Sequence, residues 1–269
     1  MSAETEIAFA KLNLALHVRG RLPDGYHRIQ TVFAFCEHGD EVTAELSDSL
    51  SMKLSGPFAG SLQKAGNIVI EAASALREAG ETKTGAALHL RKLLPVASGI
   101  GGGSADAAAT LRLLNRLWGL DWPERRLEEV ARDLGADVPA CVHSREMRGE
   151  GKGDELEPVE LGLSGTPVLL VNPRVGLSTA EVFGRWDGVD RGPLGDWRHG
   201  RNDLEPAATS FAPQIDGILA RLSAQRGADC VRMSGSGATC FAFFDTEAQR
   251  DAAAMAVPRE WWHLATRLR

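Results

Sequence analysis

Glycines crowd one short segment of the chain. Gly99, Gly101, Gly102 and Gly103 lie in LLPVASGIGGGSADAAATLRLLN, between an apolar run and a pattern typical of an amphipathic helix. Glycine adopts positive φ and lets backbone N–H groups approach a ligand closely, because it has no Cβ. The start of the following helix adds unpaired N–H groups and partial positive charge. This glycine-rich loop therefore predicts a site for a polyphosphate.

The two most familiar phosphate-binding motifs do not fit the glycine-rich loop. No lysine follows the glycines, as G-x-x-x-x-G-K-[ST] requires, and Ser104 stands where G-x-G-x-x-G requires glycine. A simpler interpretation is a flexible turn in which Ser104 caps the helix and Asp106 favours its first turn. Three consecutive glycines are more than a plain turn needs, so we favour phosphate binding.

Transfer of a phosphoryl group to a hydroxyl requires a proton acceptor and positive charge near the moving group. Asp137, in LGADVP, lies between a predicted helix end and a proline, which makes it a candidate base. Its simpler interpretation is a turn or helix-capping residue. Lys11 interrupts the apolar strand AFAKLNLAL, where it either protects a sheet edge or points an ammonium into a site. Asn13 lies on the same strand face.

The elements that must position these residues alternate along the chain, which indicates an α+β protein of two lobes. The predicted strands are 6–18, 28–35, 41–46, 50–55, 86–93, PVLLV from Pro167, 229–233 and 238–244, and the predicted helices are 67–76, 104–117, 123–134 and 212–224. The stretch 185–201 has no period and predicts an exposed loop. We place the N-terminal lobe, which would carry the nucleotide site, at 1–160 and the C-terminal lobe at 161–269.

The composition of the chain argues against some classes of binding partner. The 269 residues carry a formal net charge of -6, and an acidic surface argues against a nucleic-acid partner. No apolar run approaches the roughly 18 residues of a membrane span, and the first residues lack the basic region of a signal peptide. We therefore expect a cytoplasmic protein with no membrane partner. The four cysteines lack metal or disulfide spacing and are expected to be reduced, and the choice between monomer and homodimer stays open.

Several segments, in one order, resemble a known family. P-x-x-x-G-[IL]-G-G-G-S-x-D-A-A-A at 95–109 resembles the phosphate-binding motif of the GHMP kinases, which include galactokinase, homoserine kinase and mevalonate kinase. Residues 8–33, 134–139, 202–205 and 233–244 resemble motifs of the branch that acts on a diphosphocytidyl-methylerythritol. The resemblance implies a two-lobed GHMP kinase fold, with a ribosomal-protein-like N-terminal lobe and a ferredoxin-like C-terminal lobe.

The resemblance also implies an activity. We expect ATP-dependent phosphorylation, with Mg²⁺, of the 2-hydroxyl of 4-diphosphocytidyl-2-C-methyl-D-erythritol in the non-mevalonate route to isoprenoid precursors. Direct in-line transfer without a phospho-enzyme is expected. One alternative is a GHMP kinase for another alcohol, such as homoserine or mevalonate, and the segment D-G-Y-H argues against it. The other is a non-catalytic nucleotide-binding protein, against which the presence of both Lys11 and Asp137 argues.

Site roles follow from the same resemblance. Asp137 is implied as the catalytic base, and Lys11 would keep it ionised and stabilise charge on the moving oxygens. The residues implied for ATP are Asn67, Pro95, Val96, Ala97, Ser98, Gly99, Ile100, Gly101, Gly102, Gly103, Ser104 and Asp106. Those implied for the acceptor are Asn13, Tyr26, His27, Thr179 and Phe183, with Tyr26 and His27 contacting the cytosine. Asp106 stays open between a helix cap and a contact to Mg²⁺, and no metal ligand is assigned.

Overall fold

The computed structural model describes residues 3–62 and 67–269 and confirms the mixed α+β class. The strands are β1 (Glu4–Arg21), β2 (His27–Ser47), β3 (Ser51–Ser55), β4 (Gly85–Arg91), β5 (Met147–Glu150), β6 (Glu155–Pro158), β7 (Pro167–Asn172), β8 (Ala228–Met233), β9 (Cys240–Phe244) and β10 (Trp262–Arg267). The helices are α1 (Ile68–Ala79), α2 (Gly102–Leu117), α3 (Glu124–Arg132), α4 (Val138–His143), α5 (Thr179–Gly184), α6 (Glu205–Phe211), α7 (Gln214–Ser223) and α8 (Glu247–Met255). Short 3-10 turns lie at Ala59–Leu62 and Trp197–His199.

These elements form two compact units, and neither unit is one continuous stretch of chain. Unit 1 contains the described residues of Met1–Ala10, His38–Val96 and Gly101–Ser144. Unit 2 contains Lys11–Glu37, Ala97–Ile100 and Arg145–Arg269. Strands β1 and β2 therefore contribute residues to both units. The lobe boundary between residues 160 and 161 stays a prediction from the sequence.

Unit 1 combines four packed helices with a small sheet. Strand β4 pairs antiparallel with β2 and parallel with β3. Helix α2 packs against α1, α3 and α4 and is buried along most of its length. Its alanine-rich N-terminal half allows this, because alanine favours helix and leaves neighbouring helices room to approach. The helix ends where Gly119, with φ +64°, takes the left-handed conformation that stops it.

Unit 2 is built on an antiparallel sheet in the order β10-β7-β9-β8. Helix α7 packs on β8 and β9, and α8 packs on β7 and β10. Alternate residues of β7 and β9, among them Leu169, Val171, Cys240 and Ala242, enter one apolar core, as the two-residue period of a strand requires. The first part of β2 also lies in this unit, where it pairs with β5, and β5 pairs in turn with β6.

Two details of the structure differ from the interpretation of the sequence: the start of α2, predicted at residue 104, and the exposure of 185–201, which is exposed over most but not all of its length. Helix α2 begins at Gly102 with Gly101 as its N-cap, so Ser104 lies inside the helix and does not cap it. The stretch 185–201 is not exposed throughout, because it buries Trp186, Leu194 and Trp197. Arginine side chains satisfy its irregular backbone, as when Arg148 donates to the carbonyl of Leu194 at 2.6 Å. Such tertiary hydrogen bonds leave no periodic pattern in the sequence.

Candidate active site

The glycine-rich loop joins β4 to α2 along an irregular backbone. Gly99 and Gly101 have φ of +77° and +65°, which favour glycine. A Cβ on Gly99 would lie 2.4 Å from the carbonyl oxygen of Ser234, so a larger residue does not fit. The Ser234 hydroxyl donates to the Gly99 carbonyl at 2.9 Å, and the Thr239 N–H donates to the Ser98 carbonyl at 3.1 Å. The turn between β8 and β9 therefore fixes the middle of the loop.

Helix α2 follows the loop with no side-chain hydrogen bond at its N-cap. The first N–H groups of a helix have no partner within the helix, and the helix dipole places partial positive charge there. Gly103 is exposed, and Gly102 and Ser104 are half-buried. These groups are suited to phosphate oxygens, and the binding of a nucleotide here stays a prediction.

A buried cluster of three charged side chains lies within unit 1 at the start of α2. The Nζ of Lys92 is 2.6 Å from Oδ2 of Asp40 and 2.5 Å from Oδ2 of Asp106. The exposed fractions of Lys92, Asp40 and Asp106 are 1%, 0% and 2%. Oδ1 of Asp40 accepts the backbone N–H groups of Leu93 and Leu94 at 2.5 and 2.8 Å. Oδ1 of Asp106 has no hydrogen-bond partner among the described residues.

Burial and charge act on this cluster in opposite directions. Burial raises the pKa of Asp106 to about 8, although the Lys92 ammonium opposes the rise. For Lys92, burial lowers the pKa, but the carboxylates of Asp106 and Asp40 outweigh it, so the pKa lies above its ordinary value. One ammonium between two buried carboxylates favours retention of a further proton. Asp106 is the fifth residue of α2 and does not cap it, which removes one of its two predicted roles.

Lys92 and Asp40 are not among the site residues predicted from the sequence. The available signal was a lysine directly after the buried strand β4, three positions before Pro95. Asp40 lies inside the long strand β2, far from Lys92 in the chain, and only the pairing of β2 with β4 brings the two together.

Lys11 lies buried on β1 beside the glycine-rich loop. Its backbone N–H donates to the carbonyl of Ile100 at 3.0 Å. Its Nζ donates to Oδ1 of Asn13 at 2.8 Å and lies 5.0 Å from the ring centre of Phe33. An exposed fraction of 2% excludes the alternative of a lysine that protects a sheet edge. Asn13 is fixed in turn, because its Nδ2 donates to Oγ1 of Thr31 at 2.8 Å.

Asp137 occupies the N-cap position of α4 and is half-buried. Its side chain makes no capping hydrogen bond, so the carboxylate is not committed to the helix end. At the other end of α4, Arg112 donates to the carbonyls of Cys141 and Val142 at 2.6 and 3.2 Å, which holds the short helix in place. Asp137 belongs to unit 1 and Lys11 to unit 2. Their action on one hydroxyl stays a prediction.

Three aromatic rings cluster in unit 2. The ring of His27 lies 5.0 Å from that of Phe183 and 5.6 Å from that of Trp186. Nε2 of His27 and Nε1 of Trp186 are buried and have no hydrogen-bond partner among the described residues. Burial lowers the pKa of His27, so its ring is neutral at pH 7. The sequence predicted His27 and Phe183 as site residues but missed Trp186, which lay in the stretch interpreted as exposed.

Tyr26 presents an exposed ring at the turn before β2, with 55% of the residue accessible. The Nζ of Lys152 lies 4.4 Å from the ring centre and 2.6 Å from Oδ2 of Asp24. The N–H of Tyr26 donates to Oδ1 of Asp24 at 3.1 Å. A cation over an aromatic ring is attracted to its face. Lys152 and Asp24 therefore hold the ring in one orientation.

Two further predicted site residues have identifiable contacts. Thr179, exposed at the start of α5, has its Oγ1 3.0 Å from Oγ of Ser236 in the turn between β8 and β9. Asn67 is the N-cap of α1, where its Oδ1 accepts the N–H of Val69 at 3.0 Å. The predicted contacts of Thr179 with the acceptor and of Asn67 with adenine stay predictions.

No cluster of three or more His, Cys, Asp or Glu side chains suited to a metal ion occurs within residues 3–62 and 67–269. In the same ranges no helix combines the length and apolar character that a bilayer span requires. All four cysteines are free thiols, as expected from their spacing.

Family models match both halves of the chain. The GHMP kinases N terminal domain matches residues 67–145, and the GHMP kinases C terminal model matches residues 190–263. The chain belongs to the GHMP kinase family. It is a small-molecule kinase that uses ATP as phosphate donor, and the expected GHMP kinase fold is confirmed.

Individual relatives show which kind of GHMP kinase the chain is similar to. The chain is 54% identical to the 4-diphosphocytidyl-2-C-methyl-D-erythritol kinase of Rhizorhabdus wittichii, over 98% of this chain and 94% of the relative. It is 52% identical to the enzyme of the same name from Novosphingobium aromaticivorans, over 98% and 92%. A crystal structure of 4-(cytidine 5'-diphospho)-2C-methyl-D-erythritol kinase superposes with a TM-score of 0.85 at 30% identity, covering 98% of this chain and 99% of the other.

Proposed function

We propose that this protein transfers a phosphoryl group from ATP to the 2-hydroxyl of 4-diphosphocytidyl-2-C-methyl-D-erythritol, in the non-mevalonate route to isoprenoid precursors. The observation that carries the proposal is the 54% identity, over 98% of the chain, to a kinase named for that substrate. The acceptor is thus a cytidine diphosphate ester and not a simple alcohol such as homoserine or mevalonate.

The glycine-rich loop and the start of α2 hold the nucleotide. Gly99 and Gly101 turn the backbone so that N–H groups face the phosphates, and the N–H groups of the first turn of α2 continue this cradle. Asn67 lines the adenine side. ATP supplies the transferred phosphoryl group and leaves as ADP.

Lys11 and Asp137 act on the acceptor hydroxyl. Asp137 accepts the proton that the 2-hydroxyl releases as its oxygen bonds to phosphorus, while the bond from phosphorus to the bridging oxygen of ADP breaks. The Lys11 ammonium, held by Asn13, stabilises negative charge on the oxygens that move. Transfer is direct, because positioning and electrostatic stabilisation suffice for this chemistry.

The aromatic residues of unit 2 select the cytidine end. Tyr26 offers an exposed ring face, and His27 and Phe183 form a packed wall. A neutral His27 whose Nε2 lacks a partner is suited to a directed hydrogen bond with an uncharged base. Thr179 and Asn13 lie toward the sugar-alcohol part of the acceptor.

Mg²⁺ would be held chiefly by the phosphates of ATP. The described residues offer no dedicated cluster of metal ligands, and Oδ2 of Asp106 is already paired with Lys92. Phosphate oxygens are ordinary ligands of this ion, and its charge would offset part of theirs. The absence of a nucleic-acid partner, the cytoplasmic location and the choice between monomer and homodimer stay predictions.

ADP release tests this function when it is measured with three acceptors in parallel. We expect turnover with 4-diphosphocytidyl-2-C-methyl-D-erythritol and none above background with homoserine or mevalonate. Turnover with only a non-cytidine alcohol would overturn the assigned acceptor. Nucleotide binding without turnover of any acceptor would instead indicate a non-catalytic binding protein.

A further inference from the structure

The Asp40–Lys92–Asp106 cluster joins the two ends of the glycine-rich loop. Lys92 is three residues before Pro95, at the end of β4, and Asp106 lies in the second turn of α2. The 2.5 Å contact between Lys92 and Asp106 therefore links the chain before the loop to the chain after it. All three residues belong to unit 1, so the link lies within one compact body.

The cluster also fixes the backbone at the entrance of the loop. Asp40 accepts the N–H groups of Leu93 and Leu94, the two residues that precede Pro95. The Lys92 N–H donates to the carbonyl of Ser55 at 2.8 Å, which keeps the residue in register with β3. Hydrogen bonds to a charged acceptor are stronger than those between neutral groups. The entrance thus has few ways to move independently of the cluster.

The geometry leaves little room for a side chain between the cluster and α2. A Cβ on Gly102, the first residue of the helix, would lie 3.1 Å from the Nζ of Lys92 and 3.8 Å from Oδ2 of Asp40. The ammonium is therefore next to the N–H groups that would receive phosphate. Gly102 serves the packing of Lys92 as well as the approach of a ligand.

Charge balance matters at this position because phosphate is anionic. Fully ionised, the cluster would carry two negative charges and one positive charge, and its excess negative charge would repel phosphate. Burial raises the pKa of Asp106, and the charged groups that act on that carboxyl are Lys92 and Asp40. The raised pKa of Asp106 favours its protonated form, and in that form the cluster carries no net charge.

We propose that Lys92 is a positioning residue for the nucleotide site, which holds both ends of the glycine-rich loop through Asp40 and Asp106. The inference rests on the proposed binding of ATP to residues 95–106. Lys92 touches neither reacting group and acts through the backbone it fixes. Its loss weakens ATP binding more than it changes the KM of the acceptor.

Direct ATP binding tests this role without any acceptor. Calorimetric titration with a non-hydrolysable ATP analogue and Mg²⁺ would compare the wild-type protein with Lys92→Met. We expect the dissociation constant of the variant to rise about tenfold or more, with the KM of the cytidine acceptor within about twofold. Glu41→Gln is the matched control, because Glu41 pairs with Arg91 at 3.1 Å on the same two strands but lies at the surface. It should leave ATP affinity unchanged.

Asp106→Asn provides a second variant if Lys92→Met does not fold. An amide keeps an oxygen for Lys92 and mimics the protonated acid, so this variant removes the titration of residue 106 while the contact with Lys92 is kept. As the pH rises past 8, the wild type should lose ATP affinity and Asp106→Asn should keep it. The folded-state pKa is raised, so wild-type stability should also fall as the pH rises through about 8, and the variant should lack that fall.

The outcomes separate this inference from the assigned acceptor. If Lys92→Met lowers ATP affinity and kcat and raises the acceptor KM to a similar extent, Lys92 serves general folding. That result would overturn the positioning role. An ATP affinity in Lys92→Met within about twofold of that of the wild type would also overturn it. Lys92-dependent ATP binding without transfer to the cytidine substrate would keep this inference and remove the proposed acceptor.

Discussion

The two compact units support their candidate site residues by different kinds of contact. In unit 1 the start of α2 is supported by a buried cluster of one ammonium and two carboxylates. In unit 2 the rings of Phe183 and Trp186 support His27, a bond to Thr31 supports Asn13, and the charged pair beside Tyr26, Lys152 with Asp24, is partly exposed. A phosphate site depends on fixed backbone N–H groups and balanced charge, whereas a pyrimidine site depends on shape and a few directed hydrogen bonds. Substitutions should therefore affect ATP and the acceptor separately.

The largest effect is expected where both substrates react. Asp137→Asn keeps the shape of the side chain but cannot accept a proton, so kcat should fall by about 10²- to 10⁴-fold. ATP affinity should stay nearly unchanged, because the base does not hold the phosphates. Steady-state kinetics and calorimetry would measure the two quantities. Asp133→Asn, at the exposed C-cap of α3, is the control and should have normal kcat. Weak ATP binding by Asp137→Asn would mean that Asp137 is structural.

The next effect concerns the middle of the glycine-rich loop. Gly99→Ala adds left-handed strain and a clash with the Ser234 carbonyl, whereas Gly119→Ala adds the strain alone, since nothing lies within 4 Å of its Cβ. Strain alone costs about 1–2 kcal/mol. Gly99→Ala should therefore lower the melting temperature more than Gly119→Ala and should weaken ATP binding, which Gly119→Ala should not do. Equal melting temperatures for the two variants would show that the β8–β9 turn yields easily to the added methyl group.

A smaller effect is expected at the exposed ring of unit 2. Tyr26→Leu removes stacking worth about 0.5–1.5 kcal/mol, so the KM of the cytidine acceptor should rise about two- to tenfold. ATP affinity should not change. The control is Phe211→Leu, which removes another exposed ring that faces a cation, with Arg185 5.3 Å from its centre. Loss of ATP affinity in Tyr26→Leu would contradict the division between the two sites.

The smallest effect tests a residue that the sequence did not indicate. Trp186→Phe keeps an aromatic ring beside His27 but removes the buried N–H. If that N–H donates to the acceptor, the acceptor KM should rise about threefold, within the range of one neutral hydrogen bond. Trp197→Phe is closely matched, because its Nε1 is also buried without a partner among the described residues and its ring packs against Phe243. Equal acceptor KM values for these variants would limit Trp186 to packing.

Local features were predictable from the sequence, and features made by distant residues were not. The glycine-rich loop, the strand around Lys11 and the helix that contains Ala107 each depend on a short pattern, and the structure has all three. Asp40 and Lys92 meet only through strand pairing, so no spacing in the chain indicates them. Trp186 was not predicted to be buried, because the sequence around it has no periodic pattern. Helix α4 was not predicted, because a helix of six residues is too short to show a periodic pattern.

The interleaved path of the chain has a consequence for synthesis. Residues 11–37 leave the ribosome early, but most of the residues of unit 2 lie in Arg145–Arg269. The apolar side chains of the strands that carry Lys11 and His27 therefore stay incompletely covered until translation is almost complete. A premature stop codon late in the message would release a polypeptide that cannot close unit 2, and proteases would remove it.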